Sequence, residues 1–100
     1  MVKVLQNQPL ARARTMRENT SEMLTAAQIR AGRALLKWSA MQLSEQCGVS
    51  YAAIQRAEAG EGLPNMQVRN LAAIKRALED GGVVFLDDND GGGPGVRLKR

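Results

Sequence analysis

With 100 residues and only three aromatics in a 44% apolar composition, the chain can build one small aliphatic core and has no room for a second, catalytic domain. A formal charge of +4 and an isoelectric point near 9.8 permit phosphate binding without requiring it. One cysteine and no histidine exclude an intrachain disulfide and a histidine-containing zinc site and remove the usual general base. No apolar run approaches the roughly 20 residues of a membrane span, and no secretory signal is present, so the expected location is cytoplasmic, without membrane contact.

Residues 1–24 are polar, carry Lys3, Arg12, Arg14 and Arg17 against Glu18 and Glu22, and show no sustained apolar period. They are expected to form a flexible basic segment, an extension ahead of an internal start at Met23. The sharper alternative is a basic arm that wraps DNA and reaches its minor groove. A first helix is expected over residues 25–37. Ile29, Gly32 and Leu36 fall on one stripe with Leu35 at its edge, and Gly32 lets a neighbouring helix come close. Arg33 stands one turn after Ile29, near the buried face, where a guanidinium needs a partner. Trp38 is read either as a lid on the core or as half exposed.

Residues 39–60, SAMQLSEQCGVSYAAIQRAEAG, organise the chain. Ser39 and Ser50 each precede a run of helix formers, where a serine hydroxyl accepts from a free N–H of the first turn, and Ser39 with Gln42 has capping-box spacing. Gly48 falls at a reversal that favours positive φ, so the first of these helices stops near Cys47. Leu43, Cys47, Val49, Ile54 and Ala57 can close one small core, and the small Ser44, Ala53 and Ala57 allow a steep, close crossing. Cys47 is expected as a small buried apolar residue rather than a redox sensor. Ser50, Tyr51, Ala52, Gln55 and Arg56 are left on the outer flank of the second helix.

The run LSEQCGVSYAAIQRAEAG resembles the helix-turn-helix of Cro and phage-repressor type (XRE-like) transcriptional regulators. The similarity extends from about Thr25 to about Asp80 and is most specific at Ser44, at Gly48, Val49 and Ser50 in the turn, at Ile54, and at Glu58, Ala59 and Gly60. The C-terminal GGVVFLDDNDGGGPGVRLKR is similar to an extension on many small bacterial regulators of this kind. The resemblance implies a mainly α, four- to five-helix lambda-repressor-like DNA-binding domain over residues 25–80 with a C-terminal β-hairpin. It also implies that Glu58 is the partner of Arg33, holding the first helix against the third, where otherwise both would be ordinary surface charges. Many members carry glutamine at the second residue of the motif; Ala40 stands there in this chain, so that contact is lost or passes to Gln42.

Residues 61–65, EGLPN, form a loop broken by Gly62 and Pro64, and Asn65 is expected to N-cap a fourth helix over residues 66–80. Val68, Leu71, Ile74 and Leu78 recur at helical spacing and close the core. Arg69, Lys75 and Arg76 read as a solvated face. In residues 81–100, positions 83–86 and 95–99 read as strands around an acidic, glycine-rich turn. A lone hairpin is marginal in water. It is therefore expected to pair with the hairpin of a second chain through Val83, Val84, Phe85, Leu86, Val96 and Leu98, ahead of packing on its own helices or disorder. The turn lacks the lysine and following helix of a phosphate-binding loop, and Asp87, Asp88 and Asp90 lack the later bidentate acid of a calcium loop, so no metal or cofactor is expected.

The function this implies is sequence-specific binding of double-stranded DNA, at a palindromic operator, by a homodimeric repressor or autoregulator, nucleoid-associated when bound. The helix over residues 50–59 would enter the major groove. Gln55 can pair with adenine, Arg56 can read guanine or clamp a phosphate, Ser50 and Tyr51 can donate hydroxyl hydrogen bonds, and Ala52 can touch a thymine methyl. Lys37, Ser39, Gln42 and Asn65 are candidate contacts that orient the protein. The second function class is a protein-interaction module of the same fold, an antiactivator or an antitoxin. An enzyme is the weakest, because no nucleophile, base and acid constellation can be assembled.

Overall fold

Among the described residues there are four helices and one hairpin, and the helices start where the caps fall. The computed structural model describes residues 24–88 and 91–100. In chain order these form α1 (Ala26–Leu35), α2 (Ala40–Cys47), α3 (Tyr51–Ala59), α4 (Val68–Asp80), β1 (Val83–Leu86) and β2 (Gly95–Leu98). The protein is thus mainly helical with a two-stranded antiparallel sheet. Residues 1–23 of the expected flexible basic segment, 1–24, lie outside the described residues, and with them the alternative of a DNA-wrapping arm, as do residues 89 and 90 of the turn. Among the described residues, no helix is long and apolar enough to cross a membrane.

Both α1 and α2 start with reciprocal capping boxes. The Thr25 hydroxyl accepts from Gln28 N–H while the Gln28 amide oxygen accepts from Thr25 N–H, and Ser39 with Gln42 repeats the exchange. Ser50 caps α3 by accepting from Ala53 N–H. Gly48 ends α2 at φ 79, the left-handed conformation the sharp reversal favours. Helix α1 ends two residues earlier than expected, in a Schellman turn: Trp38 N–H donates to Arg33 O and Lys37 N–H to Ala34 O. Lys37 takes φ 59 there.

Leu24, Ile29, Leu43, Ile54, Ile74 and Leu78 are the largest fully buried side chains. Each contributes roughly 1.5–3 kcal/mol by burial, against about 1 kcal/mol for an ordinary hydrogen bond, so aliphatic packing holds the fold and polar contacts decide how helices sit. Helix α1 packs on α3, α4 and both strands, and α2 packs on α3 and α4. Leu43, Val49, Ile54 and Ala57 join this core as expected, with Cys47 partly buried beside it. Trp38 is half-buried; its ring and Leu36 lie over Gly81, where a Cβ would stand 2.7 Å from the Leu36 Cδ1 and oblige that side chain to shift.

Four sequence expectations need correction. Leu24 belongs to the core rather than to the preceding segment, at 2% exposure. Helix α4 begins at Val68, and its N-cap is Gln67, with no side-chain cap bond, not Asn65. Met66 N–H is already tied back to Pro64 O and its side chain packs on the core, which delays the helix. Val68, in the first turn and beyond the reach of the core, is 55% exposed, while Leu71, Ile74 and Leu78 are buried. Finally, Gly32 faces the side chains of Leu78, Val83 and Phe85 rather than a helix backbone, and the hairpin, expected to pair with a second chain, packs on its own helices as well: Val83 is buried in the core, and Phe85 and Val96 pack against it. Across the strands Phe85 is opposed to Val96, both packed on the core, and the buried Val83 to the exposed Leu98.

Gln28, buried at 6% exposure, ties that hairpin down. Its amide nitrogen donates to Leu86 O at 3.3 Å and Gly95 O at 3.1 Å, the last pair of the ladder, while its oxygen completes the α1 cap. A Gln28→Leu substitution is expected to destabilise the protein by roughly 1–3 kcal/mol in urea unfolding, because the Thr25 N–H loses its acceptor. Amide exchange should accelerate first in β1 and β2, not in α2 or α3.

Candidate nucleic-acid interface

The outer flank of α3 is positioned by what its inner flank holds. Ile54, Ala57 and Glu58 are buried, which forces Tyr51, Ala52, Gln55 and Arg56 outward. The Glu58 carboxylate accepts two bonds from Arg33 of α1, Nε to Oε2 at 2.8 Å and Nη2 to Oε1 at 2.9 Å, the fork-to-fork geometry that fixes direction as well as distance. The third donor of Arg33, Nη1, reaches Trp38 O at 2.9 Å. This side-chain hydrogen bonding to Glu58 raises the Arg33 pKa further, so the guanidinium stays charged. Arg30 Nη1 donates to Glu58 O, a cation on the C-terminal end of α3 where the helix dipole favours one.

A second tie sets the turn. Ser44 Oγ donates to Val49 O at 2.6 Å, fastening the segment between α2 and α3 to the body of α2. The sequence marked Ser44 only as small. It also gave no sign of Arg30 on the Glu58 carbonyl, although Arg30 and Arg33 share a helix face three residues apart. Cys47, whose thiol lies 4.0 Å from Ser44 O, is half-buried, and burial pushes its pKa above the ordinary thiol value.

Lys37, Ser39, Gln42, Ser50, Tyr51, Ala52, Gln55, Arg56 and Asn65 are all exposed. Their hydrogen bonding has a common sense. The oxygens of Ser39, Gln42 and Ser50 accept from the backbone, which leaves hydroxyl and amide hydrogens to donate outward. Gln55 Nε2 donates to the Tyr51 hydroxyl at 2.8 Å, so the phenol hydrogen is turned to solvent while Gln55 keeps its oxygen and one N–H. Arg56 and Asn65 line one cleft, with Gln67 and Asn70, between α3 and the start of α4. Ala40 is half-buried against the core, and beside it Gln42 retains its amide nitrogen. Such a donor-rich rim suits an acceptor-rich partner. Among the described residues no three His, Cys, Asp or Glu side chains come together as metal ligands.

The chain matches no protein-family model and no curated protein at a significant level.

The ion pair predicts an asymmetric loss. Glu58 keeps 9% of its side chain exposed and Arg33 25%. Arg33→Met, which strands the drier carboxylate, should therefore cost roughly 2–4 kcal/mol, more than Glu58→Met. The double variant should recover about 1–3 kcal/mol of the summed losses in a denaturation cycle. Additive losses would show the two groups to be uncoupled. For Cys47, a folded pKa above the unfolded one means that its contribution is intact at neutral pH and fades as pH rises through the unfolded thiol value toward the folded one. Alkylation should accordingly be slower in the native protein than in urea.

Proposed function

We propose that this protein is a sequence-specific double-stranded DNA-binding regulator of the Cro and phage-repressor type, with a lambda-repressor-like helical domain that lays α3 in the major groove. The observation that carries this reading is the exposed flank of α3 from Ser50 to Arg56, held outward by the Arg33–Glu58 pair. Gln55 reads adenine through its oxygen and remaining N–H, with the Tyr51 hydroxyl fixing its rotamer. Ser50, Ser39 and Gln42 donate to phosphates, and Arg56 with Asn65 clamps the backbone on the other side.

Lys37 supports the same reading by its backbone. A non-glycine residue in the left-handed region costs about 1 kcal/mol relative to glycine, and such strain gathers where function retains it. Lys37 follows as a phosphate contact at the corner between α1 and α2. The rival reading, a protein-binding module such as an antiactivator or antitoxin, draws on Ala40 and on the exposed, apolar Met41 next to it, at 49% exposure. Gel retardation separates the two, since an antiactivator retards no duplex.

Two outcomes test the residue roles. Gln55→Ala should weaken the preferred duplex by roughly 1–3 kcal/mol and leave random DNA nearly unaffected; equal losses on both would remove Gln55 from the reading set. Lys37→Gly should raise stability by about 1 kcal/mol while weakening all duplexes alike and reducing the salt slope by about one unit. A variant that gains stability with unchanged binding would reduce Lys37 to a helix terminator.

A further inference from the structure

Helix α1 turns two different sides to its neighbours. Arg30 and Arg33 reach α3 through Glu58, while Gln28 and Gly32, on the other side, meet the hairpin. The contacts also fix a direction. Gln28 stands at the turn end of the ladder, on Leu86 O and Gly95 O, Gly32 faces Val83 and Phe85, and Leu36 lies over Gly81, just ahead of β1. The last turn of α1 therefore comes level with the open end of the hairpin, where Leu98 stands opposite Val83. Leu35 is on the Gly32 side of the helix, one turn further on.

Two leucines are thus brought to one end of the α1 and β2 surface without cover. Leu35 is 37% and Leu98 40% exposed, and Leu36 and Trp38 at the same corner are half-buried. The charge beside them is of one sign, since the exposed Lys99 and Arg100 follow Leu98 directly. The nearest acids in the chain are turned elsewhere. Glu79 takes Lys75 at 3.3 Å, Asp80 lines with Arg76 a cleft between α2 and α4, and Asp87 and Asp88 leave β1 at the distant turn end.

We infer that this apolar notch with its basic rim is a docking site for an acidic amphipathic helix of a partner protein. Leucines of the partner cover Leu35 and Leu98, and carboxylates on the flank of the same helix meet Lys99 and Arg100, which sets its direction. A second copy of the chain does not offer that complement: among the described residues, no helix carries two carboxylates beside an exposed leucine. The notch lies across α1 from α3. It therefore stays open whatever α3 engages, and it stands or falls apart from the DNA reading.

Trp38, the single tryptophan of the chain, reports on the notch in the full-length protein. The probe is a capped synthetic peptide of about four helical turns with a leucine stripe flanked by glutamates, and its control has the same composition with the leucines dispersed. The striped peptide should shift Trp38 emission to the blue, saturating with a dissociation constant of roughly 10–100 μM at low salt, and the control should not. Leu35→Gln with Leu98→Gln, at positions already exposed, should weaken binding roughly tenfold. Lys99→Glu with Arg100→Glu should weaken it roughly three- to tenfold and transfer the preference to a striped peptide with lysine in place of glutamate. Absence of saturable binding, equal binding of the control, or indifference to both double variants overturns the proposal. Binding to phosphatidylglycerol vesicles but not to the peptide would give the notch to a membrane surface, and an emission shift on concentrating the protein alone would give it to a second copy; either result overturns it as well.

Discussion

The fork between Arg33 and Glu58 is the constraint on which the arrangement of α3 depends. Aliphatic burial would satisfy Ile54 and Ala57 over a range of helix rotations, because dispersion and hydration are nearly directionless. Two short, parallel charge-assisted bonds are not. With the same guanidinium on Trp38 O, and Arg30 on Glu58 O, one end of α3 is referred to α1 and to the corner that begins α2. Ser44 on Val49 O refers the other end to α2. The exposed flank from Ser50 to Arg56 is the remainder of this arithmetic: whatever the inner contacts fix, the outer residues inherit.

The hairpin answers a different need. Helices α1 and α4 leave apolar side chains that four short helices do not cover, and Val83, Phe85 and Val96 cover them. Gly32 lies beneath them, where a Cβ would stand 3.5–3.7 Å from Leu78, Val83 and Phe85, at ordinary van der Waals contact. Gln28 then joins the cap of α1 to the end of the ladder, so the order of the N-terminal helix and of the C-terminal strands is one event. Stability by packing and uniqueness by polar contacts are thus divided between different residues.

Local chemistry was legible in the sequence, and tertiary chemistry only in part. Ser39, Ser50 and Gly48 announce their roles because a cap or a left-handed turn is decided by three or four neighbouring residues. Strand β1 follows from its apolar run beside a glycine-rich turn, and the core positions Leu71, Ile74 and Leu78 from helical period. Asn65 misled because it has the chemistry of a cap, while Pro64 and the anchoring of Met66 postpone the helix by two residues. Val68 fits the stripe yet lies past the end of the core. Gln28 looked like any polar helix residue; that its amide meets carbonyls 58 and 67 positions away is information no window holds. Arg33 was flagged by its place near a buried face, but only the family likeness supplied Glu58. The packing of the hairpin on α1 and α4 was ranked behind pairing with another chain, because no window of sequence shows how much apolar surface the helices leave uncovered.

The flank of α3 is the claim on which the account turns, and repeated selection of bound duplexes from a random pool tests it most directly. Enrichment of one compact motif is expected, with adenine at a position whose preference vanishes when Gln55 is alanine. A pool that remains random, or the same motif selected without Gln55, would contradict it.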